Sequence, residues 1–202
     1  MNGWPIVGWA TLVVGAIVGT ILTVVGTDEA GLRMGIRATA RTSVVLFSLA
    51  FAASALRRRW PMPATAWLLR NRRQLGVSFA VSHGIHLLLI VALAGFTWAG
   101  FLANTPTITL IFGGAAYVFI ALMTLTSFDA TAAWLGPRRW KQLHMVGAYL
   151  VWFIFAQNFF RMALLSPFYW PYAAMLAGAM VVRWVPAARP AGVVVGQRTK
   201  AA

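Results

Sequence analysis

The sequence predicts an all-α fold, a polytopic membrane protein built as a bundle of six transmembrane helices. Two observations lead to this prediction. Of the 202 residues, 60% are hydrophobic and only 10% are charged, whereas soluble domains carry about 25% charged residues. The charged residues are also gathered in short segments between long uncharged stretches. So few charges could not cover a water-exposed surface, which excludes soluble enzymes and disordered chains, and the absence of cysteine excludes disulfide and zinc–thiolate scaffolds.

The chain is strongly basic, with a net charge of +14 from 17 Lys and Arg against 3 Asp and Glu. A basic excess is also typical of proteins that bind nucleic acid. Here the basic residues lie between the apolar stretches, as they do in the cytoplasmic loops of membrane proteins. We therefore expect the lipid bilayer as the partner of this surface, with no nucleic acid.

A helix needs about 20 apolar residues to cross the hydrocarbon core of a membrane. The predicted spans cover residues 6–26, 36–56, 75–98, 106–127, 142–162 and 166–184. The second span has to begin near Ile36, because its uncharged part, 42–56, has only 15 residues. This start draws Arg37 and Arg41 into or just under the membrane interface.

The six spans form a single transmembrane domain, residues 1–190, and residues 191–202 are expected to be a flexible cytoplasmic tail. A signal peptide carries Lys or Arg ahead of its apolar stretch. Residues 1–5 carry neither, so we expect the first span to be retained. With six spans both termini lie on one side, together with 13 of the 17 Lys and Arg residues. The positive-inside rule makes that side cytoplasmic, which predicts a multi-pass protein of the bacterial inner membrane.

All three histidines, His83, His86 and His144, fall within predicted spans. An ionisable residue at membrane depth is costly and indicates function, and a neutral imidazole keeps a ring nitrogen free for a metal. His83 and His86 share nearly one helix face. The third and fifth spans both run outward from the cytoplasm, so these histidines can meet His144 and supply two axial ligands to haem iron. Alternatively, they hydrogen-bond across helix interfaces as packing residues.

Longer motifs surround these histidines. They comprise Arg72-Arg73-Gln74-Leu75-Gly76-Val77 ahead of Phe79 and His86, then Gly113-Gly114, Leu125-Thr126-Ser127, Trp134-Leu135-Gly136-Pro137-Arg138-Arg139-Trp140 and Lys141-Gln142-Leu143-His144 ahead of Tyr149. In combination these motifs resemble the ferric reductase-like transmembrane domain family. Within that family they resemble the haem-binding membrane subunits of bacterial methionine-sulfoxide reductase systems. The resemblance covers about residues 31–184.

The resemblance implies a six-helix bundle that holds b-type haem between the third and fifth spans and passes single electrons across the membrane. By position in the motifs, His86 and His144 correspond to haem-iron ligands of the family. Relatives carry a second histidine in the fifth span, where this chain has Gln157. The resemblance therefore implies at most one bis-histidine haem b.

The depths of the histidines leave the ligand pair open. His86 lies about 16 Å into the third span, whereas His144 lies only about 5 Å into the fifth. His83 is about one turn shallower than His86, so His83 and His144 form an alternative pair. A second alternative is that His86 lacks a partner, because Gln157 stands where relatives have the partner histidine. A third is that the fold has been kept and haem has been lost.

Arg37 and Arg41 are four residues apart and so share one face of the second span, near its outer end. Paired guanidinium groups at a membrane boundary can bind haem propionates through charge-assisted hydrogen bonds. They can equally extend to lipid headgroups. Both interpretations predict that the two side chains lie close to the membrane surface.

The predicted function is electron relay by a b-type haem membrane protein, between a quinol or flavoprotein donor and a partner protein or metal acceptor such as iron. Quinone or flavin would come from a partner, and the sequence leaves open whether the chain is itself an oxidoreductase enzyme. The alternative is a non-redox six-helix scaffold or anchor subunit. A transporter fits less well, because the spans carry no carboxylate for ion coupling.

Overall fold

A computed structural model describes residues 2–185, and all regular structure in that range is helical, which confirms the all-α prediction. In chain order the helices are α1 (Pro5–Val24), α2 (Glu29–Arg59), α3 (Pro63–Arg70), α4 (Arg72–Leu93), α5 (Trp98–Asn104), α6 (Thr107–Leu125), α7 (Asp129–Leu135), α8 (Pro137–Leu165) and α9 (Trp170–Trp184), with a 3-10 turn at Pro167–Tyr169. The predicted tail, 191–202, lies outside the described residues.

Five of these helices, α1, α2, α4, α6 and α8, are long and apolar enough to cross a membrane. The sixth predicted span, 166–184, forms the 3-10 turn and the 15-residue α9. Fifteen helical residues rise about 22 Å, less than the hydrocarbon core of about 30 Å. The described part of the chain therefore has five candidate crossings. A sixth crossing, and with it the cytoplasmic side of both termini, stays a prediction.

Two of the long helices begin earlier than predicted, because residues ahead of them start a helix. The Asp28 carboxylate accepts a hydrogen bond from the Gly31 backbone N–H at 3.1 Å and caps α2. Gly136 has a φ of +77°, which favours glycine, and Pro137 follows at the first helical position of α8. The early start of α8 makes Trp140 and His144 neighbours on one continuous helix.

Close packing of α2 on α4 fixes the rotation of α4. A Cβ atom at Gly35 would lie 3.1 Å from Leu89 Cδ1, so glycine permits the two helices to approach. The Ser82 hydroxyl lies 2.9 Å from the hydroxyls of both Thr42 and Ser43. Small and polar residues of this kind hold membrane helices together. This interface sets the direction in which the two α4 histidines project.

An aromatic cluster, Phe47, Phe51, Phe79 and Phe155, lies between α2, α4 and α8. The Phe47 ring is 5.4 Å from Phe79 and 5.5 Å from Phe155 between centroids, and Phe79 is 6.0 Å from Phe155. Apart from such side-chain contacts, α4 and α8 pack little against each other among the described residues, whereas α8 packs on α6 and α9. The space left between α4 and α8 accommodates two cavities.

Candidate functional site

Two cavities of similar size lie between α4, α6 and α8. The inner cavity, of about 420 Å³, lies where α4 and α8 begin, and the outer cavity, of about 430 Å³, lies nearer their ends. Their names follow the predicted orientation of the chain. His83 and His86 line the outer cavity and His144 lines the inner one. Ile120 lines both, so the cavities share a wall.

His86 is held by its Nδ1 atom. Nδ1 lies 3.0 Å from the Ile36 carbonyl oxygen and 3.1 Å from the Thr39 hydroxyl oxygen. The Thr39 hydroxyl donates its own proton to the Gly35 carbonyl at 2.8 Å, so it accepts from the histidine. Both partners are acceptors, which assigns the ring proton to Nδ1 and leaves Nε2 with a free lone pair. Metal-binding histidines commonly donate their second ring N–H to a carbonyl in this way.

His83 lies between two other rings. Its ring stacks on His86 with centroids 4.9 Å apart and an interplanar angle of 11°, and on Tyr117 at 5.0 Å. Its Nδ1 atom is buried without a hydrogen-bond partner. Two stacked rings on one helix present faces to each other rather than nitrogens, so His83 and His86 cannot bind opposite sides of one iron atom.

The two outer arginines have different surroundings. Arg37 is exposed at one edge and lines the outer cavity. Arg41 is half-buried, donates from Nη2 to the Tyr169 hydroxyl at 2.9 Å, and lies over the Phe168 ring at 4.5 Å. Its Nε atom is buried without a partner. Tyr169 lines the outer cavity, so Arg41 lies one side chain behind the cavity wall.

In the inner cavity His144 is held by the opposite ring nitrogen. Nε2 lies 3.1 Å from the Thr126 hydroxyl oxygen, and that hydroxyl donates to the Leu122 carbonyl at 2.7 Å. Thr126 therefore accepts from His144, which assigns the proton to Nε2. The ring also stacks on Trp140 at 4.2 Å, and Trp140 Nε1 donates to the Thr126 carbonyl at 2.8 Å. This network holds His144 in place by packing and hydrogen bonds.

Arginines line the opening of the inner cavity at the basic end of the bundle. Arg70, Arg72 and Arg73 contribute to the lining, and Arg72 Nη1 donates to the Ser54 hydroxyl at 3.1 Å. Arg73 forms an ion pair with the exposed Asp129. The hydrogen bond and the positive charge of Arg73 hold the pKa of the Asp129 carboxyl below its usual value.

Arg183 of α9 reaches the same end of the bundle. Its Nε donates to the Tyr149 hydroxyl at 3.1 Å and its Nη1 to the Phe51 carbonyl at 3.0 Å. The three side-chain carboxylates of the chain are used elsewhere: Asp28 caps α2, Glu29 pairs with Arg33, and Asp129 pairs with Arg73. Arg72 and Arg183 therefore carry positive charge with no carboxylate partner, an arrangement that favours a bound anion.

The structure brings His83 and His86 together and puts His144 in the other cavity. The pairing of His144 with either α4 histidine, predicted from the sequence, is not formed among these contacts. Gln157 is exposed and does not line the outer cavity. Among residues 2–185, no group of three or more His, Cys, Asp or Glu could hold a bare metal ion.

Sequence reasoning missed the residues that hold the histidine rings. Thr126 belongs to one of the motifs quoted above, but nothing in its local sequence indicates a hydrogen bond to His144, 18 residues away. Thr39 is 47 residues from His86. Arg183 is one of many basic residues near a span end. In each case the information lies in the packing of distant helices.

Comparison with known proteins finds a distant relative. Over 112 residues the chain is 33% identical to the protein-methionine-sulfoxide reductase heme-binding subunit MsrQ of Ralstonia nicotianae. The match covers 54% of this chain and 49% of the relative, so the chain spans about half the length of the curated relative it matches. No family model matches the sequence, and no solved structure matches it. The chain is thus a helical multi-pass membrane protein with an MsrQ-like relationship at a distance.

Proposed function

We propose that this protein binds haem b in both cavities and relays electrons between them across the membrane. The observation that carries the proposal is that each cavity combines an imidazole, nearby guanidinium groups and apolar walls. These are the three features that a haem requires, because its iron takes imidazole ligands, its propionates are anionic and its macrocycle is apolar. The relationship to a haem-binding subunit supports the same conclusion.

The residues of the outer cavity fit the group. His86 offers Nε2 to the iron, since its Nδ1 proton is held by the Ile36 carbonyl. Arg37 at the edge of the cavity would bind a propionate directly, and Arg41 would support it from behind Tyr169. The unpartnered Nε of Arg41 is a donor that an anion would satisfy.

The inner cavity offers the group one free ring nitrogen. His144 would bind iron through Nδ1, or through Nε2 if it gave up the hydrogen bond to Thr126. Arg70 and Arg72 face the propionates at the cavity opening. The resemblance alone implied one haem, shared by His144 and an α4 histidine. The separation of these residues into two cavities supports one haem in each.

When bound, haem b supplies one-electron exchange. The protein supplies two binding sites at different depths and a shared wall of packed side chains, including Ile120. This chemistry would connect a quinol or flavoprotein donor at the basic inner end with a partner protein or a metal acceptor at the outer end. The name of the relative suggests a methionine-sulfoxide reductase as that partner. In this proposal the chain is the electron-transferring subunit of an oxidoreductase.

A scaffold without haem is the second candidate function. The observation that favours it is the complete network around His144, whose ring is already hydrogen-bonded to Thr126 and stacked on Trp140. A histidine that only packs would have such surroundings. In that case the bundle anchors a partner at the membrane.

One experiment separates the two functions. The chain is expressed with ample haem, purified in detergent, and its dithionite-reduced minus air-oxidised absorption spectrum is recorded together with the haem-to-protein ratio. We expect sharp α and Soret bands of b-type haem, with one haem for each cavity. The variant that carries both His86→Ala and His144→Ala should lose these bands while remaining inserted. A featureless spectrum from the unaltered protein would refute haem binding and leave the scaffold.

A further inference from the structure

The outer cavity presents a single well-placed iron ligand from α4, and the residue that completes the coordination has to come from elsewhere. The fifth-span position that is histidine in the resembled family is Gln157 here, and Gln157 is exposed and outside the cavity. His83 stacks face to face on His86 and so lies on the same side of any iron that His86 binds. The second ligand must therefore project from another helix.

Five other residues that line the cavity carry a side-chain donor atom, namely Thr109, Tyr117, Asn158, Met162 and Tyr169. The Thr109 hydroxyl oxygen is a hard donor that suits Mg²⁺ or Ca²⁺ better than haem iron. The Tyr117 hydroxyl donates to the His83 carbonyl at 3.2 Å, and the Tyr169 hydroxyl accepts from Arg41 at 2.9 Å. Both phenols are thus engaged with the protein.

The remaining two residues belong to α8, which faces α4 across the cavity. The Asn158 amide nitrogen donates to the Ile154 carbonyl at 2.9 Å, and its oxygen is a hard donor that suits Mg²⁺ or Ca²⁺ better than haem iron. The Met162 thioether is a soft donor, and methionine with histidine is an established axial pair for haem iron. The chemistry of the cavity wall therefore favours Met162.

The height of Met162 along the bundle agrees with this choice. The Phe155 ring contacts both Phe79 and His83, at 6.0 and 5.5 Å, so residue 155 of α8 is level with about residue 81 of α4. Since both helices run in the same direction, His86 is level with about residue 160. Met162 begins only about 3 Å farther out, and helical side chains point back toward the N-terminus of their helix. Because the two helices are parallel, this direction is the same for both side chains, and the remaining offset of about 3 Å is within reach of the long, flexible methionine side chain.

We propose that Met162 is the second axial ligand of a haem in the outer cavity, opposite His86 Nε2. This inference rests on the proposed haem function. It also assigns a property to the outer site, because a methionine ligand raises the reduction potential of haem above that of a bis-histidine site. A higher potential at the outer end favours electron flow outward from the inner cavity.

The competing role of Met162 is packing, since it is half-buried against the hydrophobic core. The Met162→Leu variant distinguishes the two roles, because leucine nearly conserves the volume and removes only the sulfur ligand. The matched control is Met175→Leu, since Met175 is also half-buried against the core but lines neither cavity. Each change is made in the unaltered chain and in a His144→Ala background, in which the inner site does not contribute.

The readouts are the near-infrared charge-transfer band of thioether-ligated ferric haem, the spin state, and the reduction potential. In Met162→Leu we expect loss of the band, conversion of the outer haem to high spin, and a downward shift of its potential, with haem still held by His86. Met162→His should restore low-spin haem at a lower potential than the unaltered protein, which also covers the case in which the leucine variant is poorly folded. Met175→Leu should match the unaltered protein.

The two proposals fail in different ways. If the unaltered protein contains no haem, the proposed function is wrong. If it contains haem but shows no thioether band, or if Met162→Leu keeps the band, spin state and potential of the parent, Met162 is a packing residue and only the ligand assignment is overturned.

Discussion

Both cavities are lined by histidine, but the two histidines His86 and His144 are opposite tautomers. In the outer cavity His86 donates from Nδ1 to a backbone carbonyl and leaves Nε2 free. In the inner cavity His144 donates from Nε2 to the Thr126 hydroxyl and leaves Nδ1 free. Because the second nitrogen of an imidazole decides which nitrogen can bind a metal, the neighbours of the two rings matter more than the rings themselves. Under the proposed haem function, His86 would therefore offer Nε2 to the iron, whereas His144 would offer Nδ1 or give up its hydrogen bond to Thr126.

The arginines differ between the cavities in a parallel way. Arg41 in the outer region is fixed by Tyr169 and by stacking on Phe168. The inner arginines are also held, since Arg72 donates to Ser54 and Arg73 pairs with Asp129. The difference is in number: three guanidinium groups line the inner cavity and one, that of Arg37, lines the outer cavity, so the inner cavity attracts anions more strongly.

The largest expected effect is the loss of the outer haem in His86→Ala. The truncated side chain cannot bind iron, so the haem-to-protein ratio should fall by one haem per chain. In a His144→Ala background it should fall to zero. His83→Phe is the control, because phenylalanine keeps the stack with Tyr117 and should leave the ratio unchanged. Loss of haem in His83→Phe with retention in His86→Ala would make His83 the ligand.

Thr39→Val should weaken haem binding in the outer cavity by about tenfold, the lower end of the effect of removing a hydrogen-bond partner of a metal ligand. The Ile36 carbonyl remains to hold the His86 ring, so binding is not abolished. The dissociation constant is measured by haem titration in the His144→Ala background. Thr42→Val serves as control, since its hydroxyl bonds Ser82 and the Thr39 carbonyl but is not a hydrogen-bond partner of the His86 ring. Equal effects of the two changes would attribute the loss to helix packing.

Thr126→Val should act in the opposite direction on the inner cavity. It removes the acceptor that occupies His144 Nε2, a hydrogen bond worth about 1 kcal/mol, so haem should bind about fivefold more tightly in a His86→Ala background. Thr124→Val is the control, because that hydroxyl also lines the cavity but donates to Ile120 of its own helix. Weaker binding in Thr126→Val would show that iron is bound by Nδ1, with Thr126 holding the ring.

The smallest expected effect concerns the exposed pair of Asp129 and Arg73. The pKa of Asp129 is lowered in the folded protein, so its stabilising contribution is present above the unfolded pKa of about 3.9 and is lost as the pH falls through the folded value. Asp129→Asn should therefore lower the melting temperature in detergent slightly at pH 7 and leave it unchanged at the acid end of that range. A large change at pH 7 would contradict the assignment of a solvent-screened surface pair.

The sequence predicted the membrane bundle well, because composition and length are enough to decide it. Few charges, long apolar stretches and helix-starting residues such as Asp28 fix where helices form, whatever their neighbours. The sixth span was less predictable: Pro167 and Pro171 fall within it, and the chain forms a 3-10 turn followed by a short helix there. The sequence also placed all three histidines within predicted spans, and the structure has them on α4 and α8, two of the helices that are long and apolar enough to cross a membrane.

Only the tertiary structure decided which residues share a cavity. The direction of His86 depends on how α4 is rotated against α2, and that rotation depends on Gly35, Ser43 and Ser82 fitting together across the interface. The tautomer of His144 depends on Thr126, the residue directly after α6. Periodicity along one helix gives the spacing of its own side chains but contains no information on the rotation of its neighbours. The sequence alone therefore determined the long apolar helices and which of them carry the histidines, and packing determined the partners of those histidines.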